Sequence, residues 1–169
     1  SITFLKDTVF PIINIISPLS QNYSSTTIQF NVSLNEAGDW CGFSLDNKVN
    51  ITMTLNSSKT GANFTNSSMT QGSHNITFAC NDTLGNMNSS SGIRYFGVDT
   101  IKPLVSFVYP VNNVNYTINV SALNYTYFDL NPGSCWYSNS SGFWNSTSVV
   151  ARTNFTNVTT VEGSNAFTV

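Results

Sequence analysis

Thr26–Leu34 reads TTIQFNVSL, and its alternation decides the fold. Ile28, Phe30, Val32 and Leu34 fall on one face, with Thr27, Gln29, Asn31 and Ser33 on the other. That is the period of two that a half-buried strand requires. The pattern recurs on either side. In Asn50–Asn56, Ile51, Met53 and Leu55 face inward, and in His74–Cys80, Ile76, Phe78 and Cys80 do. Asn75, Thr77 and Ala79 then lie outside, and His74 is assigned to the outer face as well. Gly85-Asn86 and Ser91-Gly92 supply turn chemistry before a last strand, Ile93–Val98. No helix-period stripe exceeds one turn. The reading is all-β, with seven strands starting at Pro11, Thr26, Trp40, Asn50, Ala62, His74 and Ile93, the complement of one antiparallel β-sandwich.

The chain carries this unit twice. ANFTNSSMTQGSHNITF at Ala62–Phe78 aligns without a gap with TNFTNVTTVEGSNAFTV at Thr153–Val169, an offset of 91. CGFS at Cys41–Ser44 matches CWYS at Cys135–Ser138 at an offset of 94, and DTVFPIINIISP at Asp7–Pro18 matches DTIKPLVSFVYP at Asp99–Pro110 at 92. Ser1–Asp7, SITFLKD, aligns at 92 with Ile93–Asp99, IRYFGVD, so that Phe4 falls on Phe96 and Asp7 on Asp99. The expected organisation is a strand like the last strand of a unit over 1–8, a first sandwich over 9–101, and a second over 102–169. Because Val169 aligns with Phe78, the second sandwich is expected to lack its last strands within this chain.

Composition bounds the function. Only 8% of the 169 residues are Asp, Glu, Lys or Arg, against roughly 25% in an ordinary soluble domain. Yet 40% are apolar and 13% aromatic, enough for a packed core. A net charge of −2 is too small to steer nucleic acid or an anionic membrane, and no apolar run approaches the ~20 residues of a membrane helix. Sixteen Asn-x-Ser/Thr sequons stand where composition alone would give about six. They start at Asn22, Asn31, Asn50, Asn56, Asn63, Asn66, Asn75, Asn81, Asn88, Asn115, Asn119, Asn124, Asn139, Asn145, Asn154 and Asn157. An extracellular chain coated with N-linked glycan is expected, with sugar replacing charge as the solubilising surface. Asn66 shares the inward parity of Phe64, so as an acceptor it has to lie beyond the strand end.

The order WCGFSLDN, QGSHNITFACNDTLGNMNSSS, FGVDTIKP resembles the tandem Ig-like, fibronectin-type-III-like repeats of archaeal and some bacterial cell-surface proteins. The resemblance covers essentially the whole chain. It implies two tandem Ig-like antiparallel β-sandwiches, an extracellular location and a stalk, adhesin or filament role, but no chemistry. The chain is also similar in style to subunits of archaeal extracellular filaments, in which a terminal strand of one subunit completes the next subunit's sandwich. That implies a donor strand at the N-terminus carrying Ile2 and Phe4, with other copies of the chain as partners in a head-to-tail polymer. The alternative is an excerpt of a long adhesin of Ig-like repeats that binds carbohydrate or a cell-surface partner.

Cys41 and Cys80 fall on strands that neighbour each other in such a sandwich and are expected to form a disulfide in an oxidising compartment. Cys135 matches Cys41, and its partner would fall near position 171. Other chemistry is thin. His74, the only histidine, has no clustered zinc ligands, no G-x-S-x-G occurs, and the repeat places Cys135 and His74 in different units, so no catalytic residue and no cofactor are assigned. Asp7 and Asp99 at the junctions and Asp82 in CNDTLGN are acidic candidates for Ca²⁺, which needs roughly six to eight oxygens. Eight acidic residues spread over the chain are expected to serve turns and junctions instead, and no metal is assigned. Nothing in the spacing of Lys6, Lys48, Lys59 and Lys102 favours isopeptide crosslinks. Trp136 and Trp144, with Tyr137 and Phe143 around a Ser/Asn/Gly loop, form the best platform for stacking on surface carbohydrate. The expectation is a non-enzymatic structural protein whose partners are its own copies and N-linked glycans, without nucleic acid or membrane insertion.

Overall fold

The computed structural model describes residues 2–4, 6–139, 142 and 144–169. Among them there is no helix, and so none long and apolar enough to cross a membrane. The chain divides into two compact units, Ser1–Thr100 and Ile101–Val169.

The first unit is a sandwich of two sheets. One has the order β1 (Ile13–Ser17), β3 (Ile28–Leu34), β7 (Gly61–Asn66), β6 (Thr54–Leu55); the other runs β2 (Asn22–Tyr23), β10 (Arg94–Val98), β8 (Gly72–Asp82), β4 (Gly38–Leu45), β5 (Ile51–Thr52). β9 (Met87–Asn88) adds to β8, and β2 lies parallel to β10 while the other pairs are antiparallel. Four strands facing a sheet that holds β4, β8 and β10 is the Ig-like arrangement. The alternation of Ile28–Leu34 puts Ile28, Phe30, Val32 and Leu34 in the core between the sheets. Phe30 is its centre, with the Phe43 ring 4.9 Å away and those of Phe64 and Phe96 each 6.3 Å away. Each such fully buried side chain contributes about 1.5–3 kcal/mol.

Two local expectations are corrected. Asn50–Asn56 is not one strand. Ile51–Thr52 pairs with β4, whereas Thr54–Leu55 pairs with β7 in the opposite sheet. Met53, at the crossing, is the buried residue, and Ile51 is exposed. His74 is not on the outer face: β8 runs for 11 residues, and His74 shares the parity of Ile76, Phe78 and Cys80 and is only 6% exposed.

The second unit repeats several pairings of the first. β11 (Leu104–Tyr109) pairs with β12 (Ala122–Phe128), which pairs with β16 (Phe155–Thr156); β13 (Ser134–Cys135) pairs with β15 (Val149–Val150), and β14 (Ser138–Asn139) with β17 (Phe167–Thr168). Leu123 opposes Phe155 as Phe30 opposes Phe64, and Ser138 opposes Thr168 as Ser44 opposes Thr77. The register shift at Phe107/Tyr109 repeats that at Ile15/Ser17. A tyrosine hydroxyl then accepts from a backbone N–H in both units: Leu19 N to Tyr23 Oη at 2.7 Å, and Val111 N to Tyr116 Oη at 2.8 Å. The core of this unit is Leu123, Tyr125, Cys135, Tyr137, Ala151, Phe155 and Val158. Burial, with the Cys135 thiol beside it, pushes the Tyr125 phenol up to about 12.

Candidate functional site

β4 and β8 lie side by side, and their register brings Cys41 opposite Cys80. The two form a disulfide, fully buried, closing a sequence separation of 39. Cys135 in the second unit is a free, buried thiol.

None of the sixteen acceptor asparagines is buried. Asn22, Asn50, Asn56, Asn63, Asn115, Asn119, Asn145, Asn154 and Asn157 are exposed, and Asn31, Asn66, Asn75, Asn81, Asn88, Asn124 and Asn139 are half-buried. Asn66 is the last residue of β7, where its Oδ1 accepts from the Ser68 N–H at 3.0 Å in an Asx turn. Asn88 makes the same turn with Ser90, and its Nδ2 donates to the Pro11 carbonyl at 2.8 Å.

Ahead of β1, the described residues 2–4 and 6–12 form no strand. Ile2 and Phe4 are 95% and 82% exposed, and Val9, Phe10 and Ile12 are exposed as well. Ser1 and Leu5 of the expected donor strand lie outside the described residues. By contrast Phe96, which aligns with Phe4, is buried between β8 and β2. In the second unit β17 is paired with β14, and among the described residues nothing pairs with its other edge. Its counterpart β8 has β4 on one side and β10 on the other.

Of the aromatic platform, Trp136 and Trp144 are 52% and 51% exposed. Tyr137 is a core residue instead, 5.0 Å from the Phe155 ring and 5.5 Å from that of Trp144; Phe143 lies outside the described residues. The four lysines are exposed, and Lys59 pairs with Asp39 at 3.3 Å.

Two titratable clusters stand in the first unit. His74 Nδ1 lies 2.9 Å from Asp46 Oδ2, its Nε2 lies 2.9 Å from the Thr70 carbonyl, and the Asn75 N–H donates to Asp46 Oδ1 at 3.0 Å. Burial pushes the Asp46 carboxyl up, but the hydrogen bonds from His74 and Asn75 and the charges of His74 and Lys48 outweigh it and hold it below the ordinary value. At the sandwich end where β4 begins and β8 finishes, carboxylate oxygens of Asp7, Glu36 and Asp82 all lie within 4.8 Å of one another. Asp82 caps its own turn, accepting from the N–H groups of Leu84 and Asn86 at 2.9 Å and from Asn86 Nδ2 at 2.7 Å. The Asn86 side chain, first among these donors, holds the Asp82 carboxyl below the ordinary value despite burial. Asn86 Nδ2 also reaches the Asp7 carbonyl, at 3.4 Å. Sequence reasoning singled out Asp7 and Asp82 and missed Glu36. The signal was the internal repeat, since Glu36 falls on Asp129 at the offset of 93 that carries Phe30 onto Leu123.

No family model matches the chain, and no curated protein does. Among solved structures it is similar to fibronectin(III)-like modules of CbhA from Clostridium thermocellum, at 16% identity and a TM-score of 0.43, covering 75% of this chain and 67% of that one. It is also similar to dimeric latent PorU from Porphyromonas gingivalis (11% identity, TM-score 0.44, 95% of this chain and 17% of that one). A third is an engineered protein (9%, 0.43, 53% and 20%). The chain thus spans about a fifth of the engineered protein and of PorU.

Proposed function

We propose that this chain is a structural subunit of an N-glycosylated extracellular filament or surface stalk. In this reading subunits join head to tail, and the N-terminal strand of one completes the sandwich of the next by β-strand addition. The observation that carries it is a mismatch between sequence and burial. Phe4 sits in the same repeat position as the core residue Phe96, yet it is exposed, with Ile2 beside it. The acceptor for such a strand is the edge of β17, in the place that β10 occupies beside β8. A heterologous contact of this kind propagates as an open fibre rather than closing.

The test is polymer formation by the full chain and by a chain lacking residues 1–8, followed by sedimentation and electron microscopy. Fibres from the first and monomers from the second support the proposal; equal assembly by both removes it. The second reading, an excerpt of a longer adhesin, draws on Trp136 and Trp144, two half-exposed indoles on one unit. Glycan binding abolished by Trp144→Ala, with assembly unaffected by the deletion, favours that reading instead.

A further inference from the structure

We propose that Asp7, Glu36 and Asp82 form a calcium site that fastens the N-terminal segment to the end of the first sandwich. The three carboxylates come from separate parts of the chain: the segment ahead of β1, the connection from β3 to β4, and the end of β8. Their oxygens lie within 4.8 Å of one another, the spread that oxygens about 2.4 Å from one central ion have. Asp82 is only 4% exposed; Asp7 is exposed and Glu36 is half-buried, but the Glu36 Oε1 atom is buried without a hydrogen-bond partner. A buried carboxylate oxygen with no donor is costly, and two more carboxylates beside it raise that cost unless a cation joins them. Among the described residues no cationic side chain pairs with Asp7, Glu36 or Asp82, so none plays that part here.

Placement along the sequence points the same way. The chain has eight acidic residues, and five of them are Asp7, Glu36, Asp82 and the repeat counterparts Asp99 and Asp129. In a chain this poor in charge, two of the three site positions thus carry an acid again at their repeat counterparts. The ligand set is oxygen only, which selects a hard cation. Calcium tolerates the irregular geometry of loop-borne carboxylates and takes its remaining ligands from carbonyls and water. Asn86 helps to hold the site, because its Nδ2 bonds both the Asp82 carboxylate and the Asp7 carbonyl. The site stands whether or not the N-terminal segment is a donor strand.

The experiment uses the full chain after EDTA treatment, with 5 mM CaCl₂ or with NaCl at matched ionic strength. Calcium is expected to raise the melting temperature by about 4 °C or more and to slow amide exchange over residues 7–12. Glu36→Gln is expected to lose both effects while keeping its circular dichroism. Asp7→Asn, on an exposed segment, is expected to lose them too and serves if Glu36→Gln does not fold. A wild-type chain indifferent to calcium overturns the proposal. So does an equal rise with NaCl, or a full response in the folded variants.

Discussion

The amide nitrogen of Asn88 is part of the fold, donating to the Pro11 carbonyl. Asn50 and Asn63 are exposed. Glycopeptide mass spectrometry should therefore find higher occupancy at Asn50 and Asn63 than at Asn88, and bare asparagines throughout would remove the glycan coat. The Asp46–His74 pair carries a pH prediction. The Asp46 carboxyl is held below its ordinary value of 3.8, so its contribution to stability is complete above that value and is lost as pH falls through the lower folded-state value. Thermal melts should show wild type losing stability below about pH 4, with a shallower loss in Asp46→Asn. His74 was misread because its neighbours are polar, although parity already places it with Ile76. Glu36 was invisible to any single-unit pattern, because three segments distant in sequence meet only at the end of the sandwich.

Strands with clean alternation were the legible ones. Ile28–Leu34 is found where its pattern puts it, since both its neighbours lie in one sheet and its inner face meets one core. Asn50–Asn56 alternates equally well but changes sheet at Met53, and pairing partners cannot be read from periodicity. Alternation alone does not make Cys41 and Cys80 neighbours either; the Ig-like resemblance implied it, and the disulfide pins β4 to β8. Closing 39 residues, it should contribute up to about 4 kcal/mol, measured as the difference in urea unfolding with and without reductant. At the edge, Gly97 lies opposite Asn22 in the β2–β10 pair, and a Cβ there would collide with the Asn22 side chain. Because the Asn22 side chain is exposed and can swing aside, Gly97→Ala should cost no more than about 1 kcal/mol, with β2 losing amide protection before β4 or β8 does.

For the molecule as a whole, charge is scarce and exposed apolar side chains are many; in the proposed reading, sugars and strand pairing do what charge does elsewhere. Edges of such sheets pair readily with other chains. Acceptors distributed over both units would shield the faces, while the exposed segment bearing Ile2 and Phe4 stays available to a partner. Where Phe4 packs in the assembled state separates a shared fold from a self-contained one. A photo-crosslinking residue at position 4, in an equal mixture of ¹⁴N- and ¹⁵N-labelled chains, reads that out by mass. Crosslinks between labelled and unlabelled chains, landing on residues 167–169 beside the free edge of β17, are expected. Crosslinks confined to single chains, with Phe4 against its own first unit, would contradict head-to-tail strand exchange.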